Sequence, residues 1–470
     1  MKNIIIKAAL LIFLLISSGI YFEKSQDLQI TLDDLDIIKQ KGKIVVLTDF
    51  NSTNYFIYRG QPMGYQYELL QNLADYMGIE VEVVVSNDLD NSFKRLENGD
   101  VDLIAANLTV TKRRKEFLDF TEPHSQTRQV LVQRKPDNRR NIDKTTPGSG
   151  LIREQLDLAG KTVYVQSHSS HAYRLHNLSN EIGEDIDIIE VDQEVEQLIS
   201  LVARGEIDYT VSDENVAQVN LNYYQNIDIE TPVSFYQNLA WAVRKNSGKL
   251  LTEINDWMLH FRNTDEYEII YAKYFKNQRS AQIVESDYYA LTSGRISAYD
   301  DIIKTYSEQI GWDWRLVASL IYQESRFKPD VKSWAGAFGL MQLMPSTAQR
   351  FGIDPNSSHE MQIQAGIRFL EWLDERFEDI DDRQEKSKFT IAAYNVGLGH
   401  ILDARNLAQK NGSDPNVWEN SVDKYLLSKA DPLYYNDPVV KYGYCRGTET
   451  YRYVKDIMQR YEHYKNLVSN

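Results

Sequence analysis

One nine-residue pattern occurs twice in this chain and constrains the fold more than any other feature. Leu96-Glu97-Asn98-Gly99-Asp100-Val101-Asp102-Leu103-Ile104 recurs 106 residues later as Val202-Ala203-Arg204-Gly205-Glu206-Ile207-Asp208-Tyr209-Thr210. Each copy reads as a helix end, a glycine suited to the left-handed cap, an acidic residue, and a strand starting at Asp. The two copies predict two similar lobes; the alternative is a common helix–Gly–strand join met twice by chance. From Gly42 to about Lys276, strand-like and helix-like spacing alternate. Ile44 to Leu47 is a β-branched run, Tyr67 to Met77 has helical spacing, Val81 to Val85 is a strand, and a polar helix leads to Asp102–Ala106. That order suits βαβ units on a largely parallel sheet. A length of 470 residues allows roughly three domains. The 42% hydrophobic content beside 26% charged residues favours packed cores over disorder.

Several segments of this half carry a family likeness. Gly64 to Leu69, Leu108 to Arg114, Leu118 to Pro123, Gly160 to Ser167 and Asp208 to Asp213 resemble family 3 solute-binding proteins. The Thr-x-x-Arg step at Thr111–Arg114 and the Asp-Phe-Thr-x-Pro step at Asp119–Pro123 are its most specific parts. The resemblance implies an α/β two-lobed periplasmic solute-binding domain over 40–276, closing on a small muropeptide or an amino-acid-like ligand. It also implies that Arg114 holds the ligand carboxylate and Asp213 its amine, with Ser169 near the matching loop of the second lobe. The chemistry fits, since a guanidinium fork pairs bidentately with a carboxylate and a carboxylate suits an ammonium. Against this, Arg114 sits among Lys112, Arg113 and Lys115, a cluster of the kind that is often only solvated. Lys112 and His124 stand where proline and tyrosine are common, which bears on the ligand more than on the fold.

A polar stretch, 277–297, reads as a linker, and from 298 to 470 the pattern turns helical. Leu316, Leu320 and Glu324 are spaced by four, with Val317 and Ile321 beside them. Glu324 is therefore expected on the buried stripe of its helix. Burial disfavours the charged form, so its pKa should rise towards values useful to a general acid. Spacing alone equally allows an exposed helix-end Glu paired with Arg326 or Lys328.

Four segments, Gln323–Pro329, Ser333–Pro345, Ala392–Gly399 and Glu449–Val454, occur in this order. Together they resemble the motif set of family 1 lytic transglycosylases. That resemblance implies an all-α (α+β lysozyme-like) transglycosylase domain acting on peptidoglycan glycan strands. It implies Glu324 as the catalytic residue, protonating the oxygen between N-acetylmuramic acid and N-acetylglucosamine. As carboxylate, Glu324 would then accept the muramyl C6 hydroxyl proton while a 1,6-anhydro ring closes without water. Ser325 is expected either to orient the acid or to satisfy helix-end backbone. Gln342 and the backbone at Met341 are expected to contact a sugar N-acetyl group, and Tyr394 and Asn395 to approach the reacting sugar. Glu449 reads as support for the core, and Tyr434, Tyr435, Tyr442 and Tyr444 offer sugar-stacking rings or ordinary surface. Two other functions stay open: a ligand sensor whose helical domain only grips glycan, and ordinary hydrolysis, which needs a second carboxylate or a held water.

The clamp-then-transglycosylase order resembles membrane-bound members of that class, in which the first half is regulatory and the enzyme sits at the periplasmic side of the outer membrane. Residues 1–22, with Lys2 and Lys7 before an apolar run and then Ser17-Ser18-Gly19, read as a secretory signal. Ile20-Tyr21-Phe22 prolong the run, so an uncleaved segment would anchor the chain in the inner membrane. A net charge of −16 argues against nucleic-acid binding. Cys445 is the single cysteine, which excludes an intrachain disulfide and a thiolate zinc cage. His168, His171 and His176 match no zinc spacing and no Gly-rich phosphate loop is present, so neither metal nor cofactor is expected.

Overall fold

The alternating half folds around two large sheets and a small two-stranded one in the computed structural model, which describes residues 34–136, 150–276, 286 and 288–468. The expected signal segment 1–22 and residues 277–285 and 287 of the expected linker lie outside the described residues. The strands are β1 (Lys43–Thr48), β2 (Phe56–Tyr58), β3 (Gln61–Met63), β4 (Glu80–Val85), β5 (Leu103–Thr109), β6 (Leu118–Phe120) and β7 (Ser125–Thr127). They continue as β8 (Gln129–Arg134), β9 (Thr162–Gln166), β10 (Asp187–Val191), β11 (Tyr209–Asp213), β12 (Ile227–Pro232) and β13 (Gln237–Arg244). The first lobe has the order β4-β1-β5-β13-β6 with β7 also on β13, and the second has β10-β9-β11-β8-β12.

The lobes are alike, as the repeat predicts. In each, three strands are parallel: β4, β1 and β5, then β10, β9 and β11. A fourth, β13 or β8, runs antiparallel beside them. The largely parallel expectation is thus correct for the βαβ part of each lobe only. The strands that run the other way include β8 and β13, which arrive from the opposite lobe. Both repeated glycines cap helices in the left-handed conformation. Gly99 (φ 82°) ends Leu89–Asn98 and Gly205 (φ 77°) ends Val195–Arg204. A residue with a Cβ pays about 1–2 kcal/mol there. The strands begin at Leu103 and Tyr209, one residue beyond the predicted Asp. Asp102 instead accepts the Val45 amide at 2.9 Å.

The C-terminal part is helical, with only isolated bridges at Lys332–Phe338 and Phe338–Leu343 among the described residues. Its central helix, Trp314–Ser325, buries Leu316 to Ile321 without interruption, as a helix surrounded by others must. The last helix, Gly447–Leu467, packs along it, fixed by Ser319 Oγ donating to the Ile457 carbonyl at 2.7 Å and by Arg460 donating to Gln323 at 2.9 Å.

The described part of the expected linker is packed. Tyr289 is buried against Phe56 in the first-lobe core, and Ile296 is buried in the helical core. Polar composition hid these two apolar anchors. The first-lobe core also takes in Leu35 and Ile38 of the Asp34–Lys41 helix, ahead of the expected boundary at 40. The last helix touches this lobe directly: His463 Nδ1 is 2.7 Å from the Tyr55 hydroxyl, Tyr464 donates to the Gly60 carbonyl at 2.6 Å, and Asn466 to Val83 at 2.8 Å. Among the described residues, no helix is long and apolar enough to cross a membrane.

Candidate active site and ligand cleft

The Trp314–Ser325 helix starts on Asp313, whose carboxylate accepts the Arg315 amide at 2.9 Å. It stops abruptly after Glu324 and Ser325, because Arg326 and Phe327 take φ values of 52° and 59°. Two successive bulky residues in the left-handed region are costly and turn the chain sharply. Glu324 is left half-buried in the last turn.

Burial pushes the Glu324 carboxyl up to about 7, and the Tyr453 hydroxyl, donating to Oε1, opposes that rise. Loss of hydration outweighs this hydrogen bond, and no second carboxylate among the described residues takes part. Neither Arg326 nor Lys328 forms an ion pair with Glu324 among the described residues, so the exposed-pair alternative falls away. Tyr453 and Tyr394 are themselves pushed up, first by burial and then by the Glu324 charge. Both phenols therefore stay neutral beside the acid, and Tyr453 is the one that donates to it.

The other expected residues divide. Tyr394 donates to the Met341 carbonyl at 2.6 Å, which joins the Ala392–Gly399 and Ser333–Pro345 segments beside Glu324. Met341 is buried with its side chain against Gly366, where a Cβ would meet the sulfur at 2.2 Å. Gln342, at φ 46°, donates from Nε2 to the Val331 and Gly339 carbonyls at 2.9 and 2.7 Å and so pins its own loop. Asn395 is exposed and accepts from Thr450 at 2.7 Å. Ser325 is buried and donates to the Ile321 carbonyl at 3.2 Å, the backbone role rather than the orienting one. The hydroxyl that does reach the acid is Tyr453, which lay in the Glu449–Val454 segment without an assigned part. Glu449 is exposed and faces Arg446 at 3.4 Å. Tyr442 and Tyr444 are exposed, and the Lys441 and Tyr442 amides are held by the buried Asp403, which also pairs with Lys429 at 2.7 Å.

The three clamp residues do converge. Arg114, Ser169 and Asp213 line one cavity between the lobes, together with Asp49, Glu194 and Glu196. Arg114 donates to the Thr109 carbonyl at 3.1 Å and lies over the Phe93 ring. Burial lowers its pKa to about 10, against the pull of the Asp213 charge. It is therefore directed inward, not solvated with its basic neighbours. Ser169 caps the Ser170–Ile182 helix by accepting the Ala172 amide at 3.2 Å. Across the cleft, Glu196 of the second lobe accepts from the Ser52 amide and hydroxyl of the first. His168, His171 and His176 each face a different carboxylate, Asp90, Asp213 and Glu190, rather than one another.

Comparison with known proteins divides the chain in the same way. A family model described as bacterial extracellular solute-binding proteins, family 3, matches residues 43–277, and one described as the transglycosylase SLT domain matches residues 301–417. A Desulfosudis oleivorans protein named membrane-bound lytic murein transglycosylase F is 36% identical over 438 residues, covering 93% of each chain. One of the same name from Pseudomonas fluorescens is 30% identical, covering 91% of this chain and 86% of its own. Among solved structures, a mutant of ArgBP from T. maritima is similar at 24% identity and a TM-score of 0.44, over 52% of this chain and 99% of that one.

Proposed function

This chain belongs to the membrane-bound lytic murein transglycosylase F family, enzymes acting on peptidoglycan, and we propose that Glu324 alone carries its acid–base chemistry. The observation that carries this is the state of Glu324: a buried carboxyl held to about 7, with a tyrosine donor and no second carboxylate contributing. A carboxyl with that pKa is protonated in a large fraction of molecules near neutrality and can still give up its proton, as a general acid must.

The reaction follows from having one such group. Glu324 donates its proton to the glycosidic oxygen between N-acetylmuramic acid and N-acetylglucosamine, and the bond to the muramyl C1 breaks. The resulting carboxylate takes the proton from the muramyl C6 hydroxyl as that oxygen bonds C1. One proton leaves Glu324 and one returns, so the product is a 1,6-anhydro end and no water is consumed. Glycosidases that use water, directly or through a covalent intermediate, employ two carboxyl groups at set separations. Here the substrate supplies the nucleophile at high effective concentration. The Tyr453 hydrogen bond stabilises the carboxylate between the two transfers. Met341, Gln342, Tyr394 and Asn395 are the residues we assign to holding the sugar beside Glu324. For Ser325 we retain only support of the helix end.

The clamp is the regulatory part of this reading. A ligand held by Arg114, Ser169 and Asp213 favours one arrangement of the lobes over another and so shifts the population of active enzyme. Two contacts support a route. Gly60, at the β2–β3 turn, is so close to the end of the acid helix that a Cβ would lie 2.7 Å from the Phe327 ring and 2.8 Å from the Tyr322 ring. The Gly447–Leu467 helix carries Tyr453 at the acid and His463, Tyr464 and Asn466 on the first lobe. The site of action we infer is the periplasm, at a membrane; the relatives' names speak to the membrane part of this.

The experiment is digestion of purified sacculi by the wild type and by Glu324→Gln. The wild type is expected to release anhydro-muropeptides, and the folded variant none. Anhydro products from the variant would contradict the assignment. Binding of sacculi by the wild type without soluble products would favour a glycan-gripping sensor.

A further inference from the structure

The interlobe cleft carries more negative charge than an ordinary amino acid would balance. Asp49, Glu194, Glu196 and Asp213 all line it, against the single guanidinium of Arg114. A cluster of carboxylates alone does not make a binding site, but one of these is left waiting. Asp213 is only 8% exposed, and its Oδ1 has no hydrogen-bond donor among the described residues. Among the described residues the one basic atom within 4 Å is Nε2 of His171, 3.6 Å away, and it makes no hydrogen bond there. A buried carboxylate oxygen without a donor is expensive and points to a group supplied from outside.

The remaining acids differ in what they already hold. Glu196 is taken up by Ser52. Asp49 accepts from the side-chain amides of Asn51 and Asn54, and Glu194 from Gln166 at 3.1 Å, all neutral donors. Among the described residues, no Lys, Arg or His contributes to the state of Asp49 or Glu194. Burial pushes Asp49 up to about 6 and Glu194 up to about 7, and the Asp49 charge adds to the rise at Glu194. Carboxylates have acceptor capacity to spare beyond these bonds, and two that line one cleft with only neutral donors are relieved by a cation.

We propose that the cleft takes a basic α-amino acid, its carboxylate on Arg114, its α-ammonium on Asp213 and its second cationic group between Asp49 and Glu194. This rests on reading the cleft as the regulatory ligand site. It adds to that reading a second, cation-selecting position. Neutral amino acids satisfy the first two contacts and leave Asp49 and Glu194 unrelieved, while acidic ones add a fifth carboxylate to the cleft.

The test is calorimetric titration of the full chain with L-lysine, L-arginine, L-leucine and L-glutamate. Lysine or arginine is expected to bind at least about tenfold tighter than leucine, the worth of one charge-assisted contact, with glutamate weakest. In Asp49→Asn/Glu194→Gln that preference is expected to shrink to within about threefold, with leucine affinity kept and the melting profile confirming the fold. Leucine binding as tightly as lysine and arginine would overturn the proposal, as would a preference unchanged in the double variant or no binding of any of the four. The underlying reading fails separately: if Arg114→Ala leaves the binding of every amino acid unchanged, the cleft is not the ligand site at all. If that variant abolishes leucine binding while lysine shows no advantage, only the cation-selecting position is wrong.

Discussion

Two regions of this molecule hold carboxylates pushed up by burial, and they are built in opposite ways. At the end of the Trp314–Ser325 helix, one carboxyl stands with a phenol as its donor, raised to about 7 by loss of hydration alone. In the interlobe cleft, Asp49 and Glu194 reach about 6 and about 7 by the same cause, but Glu194 is also raised by the charge on Asp49. A raised pKa therefore does not by itself mark a proton donor. What distinguishes the sites is the company: neutral tyrosines favour a proton that leaves and returns, whereas neighbouring acids favour capture of a cation. The supports differ as well. The acid rides at the end of a helix whose Leu316–Ile321 stretch is buried throughout, and the cleft is assembled from two lobes joined by the crossings beside β8 and β13.

The sharpest way to break this contrast is to remove the proton from one side of it. Glu324→Gln is expected to lower the rate of glycan cleavage by at least about a thousandfold, within the range of general acid–base catalysis, as read by release of muropeptides. Asp49→Asn/Glu194→Gln should cost far less than that, under about tenfold, because those acids transfer no proton to the substrate. Equal losses from the two would erase the distinction.

Next in size is the donor. Tyr453→Phe removes a hydrogen bond that favours the ionised acid, so the Glu324 pKa should rise further. Cleavage requires the protonated form, so the alkaline limb of kcat/KM, expected near pH 7 in the wild type, should move to higher pH. The maximum should fall by about tenfold, because the carboxylate formed during reaction loses its partner. A limb that stays in place would remove Tyr453 from the site.

A smaller effect tests the physical link between the two regions. Gly60 and Gly412 share nearly the same φ, 77° and 78°, but a Cβ at Gly60 meets Phe327, Tyr464 and Tyr322, and one at Gly412 meets nothing within 4 Å. Both Ala variants incur about 1 kcal/mol of backbone strain. Gly60→Ala should lower the melting midpoint of the catalytic domain by about 2–4 °C more and alter cleavage, while Gly412→Ala should not alter it. Equal behaviour would sever the proposed route.

The smallest is a matter of linkage. Glu324 has a raised pKa in the folded state, so its stabilisation is fully present below the unfolded value near 4.5 and is lost as pH rises through about 7. Glu324→Gln lacks that loss. Its melting midpoint should gain on the wild type by about 2 °C or more between pH 4.5 and 7.5, and no gain would mean that the acid is hydrated.

How much of this was legible in the sequence depended on distance along the chain. The repeat around Gly99 and Gly205 announced two lobes because helix, cap and strand are contiguous. Glu324 was placed by neighbours within two helical turns, and Arg114, Ser169 and Asp213 by short motifs whose residues do meet. Tyr453 escaped notice because its partner lies 129 residues away, and helix phase says nothing about which distant side chain it faces. Gly60 was silent for the same reason. Tyr289 and Ile296 were hidden inside a polar stretch, where two apolar residues suffice to fix a strap. The antiparallel β8 and β13 followed from the chain's crossings between lobes, which strand patterns do not encode. Ser325 shows the converse error: adjacency to Glu324 in sequence suggested a contact that helix geometry spends on Ile321.

The central claim is that one carboxyl, with the sugar's own hydroxyl as nucleophile, does the work of two. Digestion of sacculi in water enriched in heavy oxygen tests it directly. Products lighter than the hydrolytic ones by one water, with no heavy oxygen at the muramyl C1, are the predicted result. Heavy oxygen at that carbon would show that water attacked, and would contradict the account.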